Sequence, residues 1–213
     1  TPEQQSGAFQ QLIGRMKSLP GVRDVSVTSN VPLTDFDVEL SFQVEGRAPY
    51  KPGEEATADY TVVGADYFRT MNIALLRGRV FADQDTTDSP QVMVVSNAFV
   101  KRYFPNEDPI GRRIVFDGKE QKPREIVGVV GDIRRNGLDV DVQPEMYVSY
   151  LQRPERRLNL IMRTGALDAT QLAPAARAQI KEFDQNQIIW RVQTLEELLG
   201  TSVAPRRFNM MLL

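Results

Sequence analysis

Two residue types are missing altogether from this 213-residue chain: cysteine and histidine. Without cysteine there is no disulfide framework, no thiolate nucleophile and no thiolate-bound metal. A chain free of stray thiols suits either side of a membrane and leans towards an oxidising compartment. Without histidine there is no Ser-His-Asp triad, no Cys-His pair and no His-Glu-x-x-His zinc site, and the commonest general base is gone. An excess of one charge is lacking too. Twenty-six basic and 28 acidic residues leave a formal net charge of −2, with the basic residues scattered among acids. No broad cationic field awaits a nucleic acid. Long hydrophobic runs are also absent, since a membrane span needs about 20 consecutive apolar residues and the longest candidate here is the final "MMLL".

What is present is the composition of an ordinary globular protein, 41% hydrophobic and 25% charged, enough for one large domain or two small ones. Phe9, Leu12, Ile13 and Met16 form one apolar stripe on a helix that Pro20-Gly21 ends, and "VRDVSVTS" follows as a strand. "FDVELSFQVEG" alternates Phe36, Val38, Leu40, Phe42 and Val44 over polar partners, the cleanest period-two run in the chain. "ATADYTVVG" is another strand and leads into a short helix at Asp66–Met71. "VMVVS" and "REIVGVVGDI" read as inner strands, with Gly128 and Gly131 marking close backbone approach or a bend.

The last third reads as strand, helix, strand. "RLNLIMRTG" is followed by a helix with Leu172, Ala176, Ile180 and Phe183 on one face, then by "NQIIWRVQT". Pro174 fits that helix only if it starts near Thr170, because early N–H groups lack helical partners in any case. Trp190, mid-strand beside Ile188 and Ile189, is expected in a core or an interface. Thr194 and Glu197 in "TLEEL" have the spacing of a capping box. The expected fold class is therefore α+β. A βαβ layer is built from both chain ends, and a mixed α/β part is inserted between them.

No constellation names a reaction. "VGVVGDIRRNG" offers glycines and Arg134-Arg135 to a phosphate, but it lacks both Gly-rich phosphate-loop spacings and no periodic helix follows. It reads as a strand leaving the sheet into an exposed loop. "DQDTTD", Asp83 to Asp88, fails the calcium-loop spacing, since position 5 is Thr87 and position 6 is Asp88. Glu54-Glu55 and Asp139/Asp141 read as solvated loop carboxylates. Ser96 and Lys101 could serve a histidine-free hydrolase only from one face of a helix, and a five-residue separation sends them to different faces. No catalytic, cofactor-binding or metal-binding residue is assigned. In "VVSNAFVKRYFPNEDPIGRRI", Ser96 is the expected N-cap. Phe99, Val100, Tyr103 and Phe104 form the packing face, Pro105 is the stop, and Pro109 and Gly111 shape the turn that delivers Ile114 to the next strand.

That stretch belongs to a set. "SLPGVRDVSVTSNVPLT", "VVGADYFRTMNIALLRGRVF", "VVSNAFVKRYFPNEDPIGRRI", "EIVGVVGDIRRNGLD" and "RVQTLEELLGTSVAPRRFNMMLL" occur in one order across nearly the whole chain. Together they resemble the extracytoplasmic domain of MacB/FtsX-like permeases of ABC transporters. The resemblance implies a periplasmic domain between two transmembrane helices of an inner-membrane protein. It implies a discontinuous porter-like part near 1–64 plus 142–205 and an inserted, sabre-like part near 65–141. For 206–213 it implies the start of a transmembrane segment. The residues alone leave "RRFNMMLL" open between that and a helix end packed on the core, and Arg206-Arg207 beside an apolar run favours a cytoplasmic flank. The family's role is mechanical, with ATP hydrolysed in a separate cytoplasmic domain and motion passed through the transmembrane helices. Implied partners are a second permease copy or a second half of the same permease, the cytoplasmic ABC ATPase and, for MacB itself, a periplasmic adaptor protein. A free-standing extracytoplasmic module that binds a peptide or lipid in a concave apolar pocket is the competing expectation.

Overall fold

A computed structural model describes residues 2–34, 38–51, 53–116, 122–135, 137, 140–165, 168–185 and 189–201. The apolar stripe forms α1 (Pro2–Lys17), which buries Met16 completely, and Gly21 takes a positive φ of 87° in the turn that leads to β1 (Val22–Thr28). The alternating runs form β2 (Glu39–Val44) and β3 (Ala56–Val63), and the next segment folds into α2 (Tyr67–Met71) and β4 (Leu75–Gly78). All five residues of β5 (Val92–Ser96) are buried, as an inner strand requires. Then come α3 (Asn97–Tyr103), β6 (Arg113–Phe116), β7 (Arg124–Val130), β8 (Glu145–Ser149), β9 (Asn159–Thr164) and α4 (Ala169–Phe183).

The strands make one sheet in the order β2-β6-β7-β5-β8-β3-β1-β9, and a further pairing of β2 with β3 closes the first six into a ring. β3 and β7 each carry three neighbours because their edges are shared along their length. β3 meets β2 over Ala56–Asp59 and β1 at Val63, while β7 meets β6 near its start and β4 near its end. The even-numbered residues of β3, Ala58, Tyr60 and Val62, enter the main core with Phe42, Met93, Val95, Ile114, Ile126, Met146 and Val148. Phe99, Val100 and Phe104 of and just after α3 fill the same core. The Phe42 ring lies 5.1 Å from Phe99 and 4.9 Å from Tyr103, edge-on to the latter, a geometry aromatic pairs prefer. On the other side of the sheet, α2 buries Tyr67 and Phe68 against Phe81, Val94, Val130 and Tyr147.

The α+β class holds. Strands of the expected chain-end part and of the expected insert nevertheless share hydrogen bonds: β6 with β2, and β5 with β8. An inner strand such as "VMVVS" needs neighbours on both edges, and it finds β7 on one side and β8 on the other. The expected βαβ layer is a correction in one respect. α1 packs on β1 and α4 on α1, but no strand follows α4 among the described residues. Residues 189–193 make no ladder, and Trp190 is 93% exposed rather than in a core. Phe36, Asp139, Ile188 and the segment 206–213 lie outside the described residues. Pro174 sits five residues after the first residue of α4, past the free N–H groups. One helical hydrogen bond, to the Thr170 carbonyl, is therefore given up on an exposed face.

Gly128 shows why the close-approach reading was correct: a Cβ there would lie 2.0 Å from the Arg79 carbonyl oxygen. Gly128→Ala is expected to destabilise by about 2–4 kcal/mol or to block folding, since backbone must move. Gly14→Ala, on an open face of α1 with nothing within 4 Å, should instead stabilise by about 0.5–1 kcal/mol. Urea denaturation of the two variants distinguishes these opposite signs.

Candidate functional site

The residues singled out by sequence have structural tasks. Ser96 is 1% exposed, and its hydroxyl oxygen accepts hydrogen bonds from Phe99 N (3.2 Å) and Glu145 N (3.0 Å). It is the expected N-cap and also ties α3 to β8, while Lys101 is exposed. Asp132 adds a second cap, accepting from Ala98 N at 2.6 Å. Within "DQDTTD" only Asp85 is buried. It accepts a forked pair of bonds from Arg79 at 2.7 and 2.9 Å and one from Ala82 N at 2.8 Å. Burial pushes its pKa upward, but the Arg79 fork and the amide outweigh that and hold it below the usual carboxylate value. Glu55 is exposed and folds back on Gly53 N, and Asp141 is exposed as well. No group of three or more carboxylates that could hold a metal occurs among the described residues.

Arg134 and Arg135 part company. Arg134 is exposed, whereas Arg135 is 5% exposed and pairs with Glu145, itself 3% exposed. Around that pair the Thr61 hydroxyl donates to Glu145 Oε1 at 2.9 Å, Arg135 Nη2 donates to Thr61 Oγ1 at 3.0 Å, and the Tyr147 hydroxyl donates to Glu145 Oε2 at 2.7 Å. β3, β8 and the loop after β7 thus share one buried charge cluster beneath α2, whose Tyr67 hydroxyl is buried nearby. Desolvation first, and then the Glu145 carboxylate, push both the Tyr67 and Tyr147 phenols well above their ordinary values. Burial works against the Arg135 cation, but the charge on Glu145 prevails and its pKa rises. Sequence reasoning missed this cluster. Its only trace is a Glu opening the otherwise apolar "EMYVS".

A second cluster fastens the chain-end layer. Buried Asp24 of β1 pairs with Arg69 of α2 at 2.7 Å, Asp66 pairs with Arg69 and with Lys17 of α1, and Arg163 of β9 donates to the Thr70 carbonyl at 2.7 Å. Beside α3, an open cleft of about 440 Å³ is lined by Arg47, Tyr50, Glu54, Glu55, Arg102 and Glu107, among others. It is charged, unlike the apolar pocket expected of a peptide- or lipid-binding module.

Comparison with known proteins gives a consistent result. Residues 3–183 match the family model of the MacB-like periplasmic core domain. The macrolide export ATP-binding/permease protein MacB of Aggregatibacter actinomycetemcomitans is 32% identical over 75 residues, 35% of this chain and 11% of that protein. MacB of Neisseria gonorrhoeae is 27% identical over 104 residues, 49% of this chain and 14% of that protein. The chain therefore spans little more than a tenth of these relatives. Among solved structures, the periplasmic region of MacB from Actinobacillus actinomycetemcomitans superposes with a TM-score of 0.58 at 17% identity, over 81% of this chain and 72% of that one. The extracellular domain of the noncanonic ABC-type transporter YknZ from Gram-positive bacteria also gives 0.58, at 16% identity over 87% and 88%. At such identities the likeness is one of fold. No helix among the described residues is long and apolar enough to cross a membrane.

Two outcomes follow from the buried cluster. Glu145→Gln keeps the shape but strands the Arg135 charge, and should cost about 3–5 kcal/mol in urea denaturation; Arg135→Met with Glu145→Leu should recover most of that. Tyr67 and Tyr147 hold their protons more tightly folded than unfolded, where the value is about 10. Their contribution is therefore complete below about pH 10 and is lost as pH rises above it, by roughly 3 kcal/mol per pH unit for the pair. Tyrosinate absorbance should rise together with unfolding, and titration of all tyrosines near pH 10 in a folded protein would contradict this.

Proposed function

This chain belongs to the MacB-like periplasmic core domain family, and from that premise we propose that it is a non-catalytic mechanical element of an ABC transporter permease. ATP is hydrolysed in a separate cytoplasmic domain. The resulting movement of transmembrane helices reaches this domain in the periplasm, and the domain passes it to substrate export or to an extracytoplasmic partner. The observation that carries the reading is the chain-end layer. α1 packs against both α4 and β1, β1 pairs with β3 of the ring, and the Asp24–Arg69 and Lys17–Asp66 ion pairs tie β1 and α1 to the α2 segment. A push delivered through α1 or α4 thus moves one body rather than a loose loop.

In this reading the part formed by 1–64 plus 142–205 receives the motion, 65–141 presents the outward surface, and 206–213 begins a membrane-crossing segment. The helix that starts at 195 is closed by its capping box, with Thr194 N to Glu197 Oε2 at 3.0 Å and Glu197 N to Thr194 Oγ1 at 3.1 Å, a stiff lead into that segment. The partner is a second permease copy or the second half of one chain, with a periplasmic adaptor as a further candidate. The test is made in the whole permease in lipid nanodiscs. A spin label at Lys101→Cys, on the exposed face of α3, reports the distance between paired domains. A non-hydrolysable ATP analogue should shift that distance by several ångströms, and an unchanged distribution would contradict the reading.

A further inference from the structure

A guanidinium carries N–H donors on all of its nitrogens, and they leave the group in fixed, different directions. In Arg135 only Nη2 is engaged, donating to Thr61 Oγ1 and Glu145 Oε1. Nε and Nη1 are buried and have no partner among the described residues. A bare buried donor is costly, the more so on a charged group. Glu145 gives no relief. Its Oε1 already accepts from Thr61 and Arg135, and its Oε2 accepts from Tyr147.

The surroundings of that guanidinium differ at its two ends. β3 sets Asp59, Thr61 and Val63 in a row on one face, with Glu145 beside Asp59 and Thr28 beside Val63. At the Asp59 end lies a crevice of about 10 Å³, lined by Asp59, Ile133, Val140, Gln143 and Glu145 besides Arg135 itself. One water needs about 10–15 Å³ of such space, whereas an organic ligand needs about 300 Å³ or more. Towards the Val63 end lies Tyr67, packed in the same core as Val63. Burial and the Glu145 carboxylate raise its phenol, while Arg135 and Thr28 oppose that rise from close by. The Tyr67 hydroxyl is nevertheless buried without a partner, and so is Asn30 Oδ1, whose residue accepts from the Thr28 hydroxyl through its backbone carbonyl at 2.8 Å. Polar groups this near to one another and still unbonded are the usual setting for a bridging water.

We propose that Arg135 is a water-binding residue held between an inner and an outer water, the inner one bridging its guanidinium to the Tyr67 hydroxyl and the outer one seated in the crevice beside Gln143. The inner water accepts from an Arg135 N–H and from the Tyr67 O–H, and it donates to Asn30 Oδ1. That is the number of bonds a buried water usually makes. The outer water accepts from the remaining face of the guanidinium and donates to the Gln143 side-chain oxygen, since the amide nitrogen of Gln143 is already turned to the Asp141 carbonyl at 3.1 Å. All the bare atoms thereby gain partners. A bound anion explains less, because Glu145 already balances the Arg135 charge and a further negative charge would be buried unpaired. A metal cation would face the guanidinium and be repelled. The pair that sets the β3–β8 register is thus a hydrated one, which lowers the desolvation it must bear.

This inference needs no transporter motion, so its test is made on the 213-residue chain without nucleotide. Oxygen-17 magnetic relaxation dispersion counts waters that stay buried for longer than the protein takes to tumble. The inner water should be lost from that count in Tyr67→Phe, which keeps the ring and removes only the hydroxyl. It should also be lost in Arg135→Met with Glu145→Leu, which replaces the pair by apolar side chains. An unchanged count in either variant would overturn the inner site. Crystals of the unaltered chain give a check that requires no substitution. Density should stand at about 2.7–3.2 Å from both Nε and Nη1, and either nitrogen bonded to a protein acceptor instead would contradict the proposal. Bromide-soaked crystals separate water from an anion. No anomalous peak is expected at Arg135, and a peak there would identify an anion site and overturn the assignment to water.

Discussion

The ladder from Glu39↔Asp59 to Phe42↔Ala56 is the constraint on which the rest of the molecule depends. It joins β2 to β3 and so turns six strands that could have ended in two open edges into a ring. Closure satisfies backbone donors and acceptors that an apolar sheet could not leave bare, and it defines an interior that α3 fills with Phe99, Val100 and Phe104. Four of the six contacts around the ring are antiparallel, while β5–β7 and β3–β8 are parallel. Segments far apart in sequence must therefore meet before any part of it is complete.

The Arg135–Glu145 pair has a place in that scheme. It lies where the parallel β3–β8 contact begins, at Asp59↔Glu145, and is held by Thr61 and Tyr147 from the two strands. A buried ion pair is seldom a net source of stability, since desolvation offsets the attraction. Here it fixes register instead. A slip of β8 by one residue would turn Glu145 into the main core and Met146 out of it.

Local chemistry was the legible part of the sequence. The α1 stripe, the Ser96 cap, the stop before Pro105 and the Thr194–Glu197 box all depend on residues within a turn or two of each other. The five ordered strings also pointed to the family that residues 3–183 match. Ring closure was not legible, because β2 reaches β6 across some seventy residues by side-chain fit that no local pattern encodes. Arg135 was read as exposed because the partner that draws it inward lies on another strand. The expected strand around Trp190 does not form among the described residues, and of the core or interface expected for Trp190 its exposure excludes the core, since an alternating pattern does not say whether a neighbouring strand lies beside it.

If the ring is one cooperative body carrying a weaker chain-end layer, its amides must open together. Native-state hydrogen exchange across a denaturant series measures this directly. The account predicts that β2, β3, β5, β7 and β8 merge at a single opening free energy equal to global unfolding, with β9 and α4 opening at lower cost. Independent opening of 65–141 while β2, β3 and β8 stay protected would contradict it.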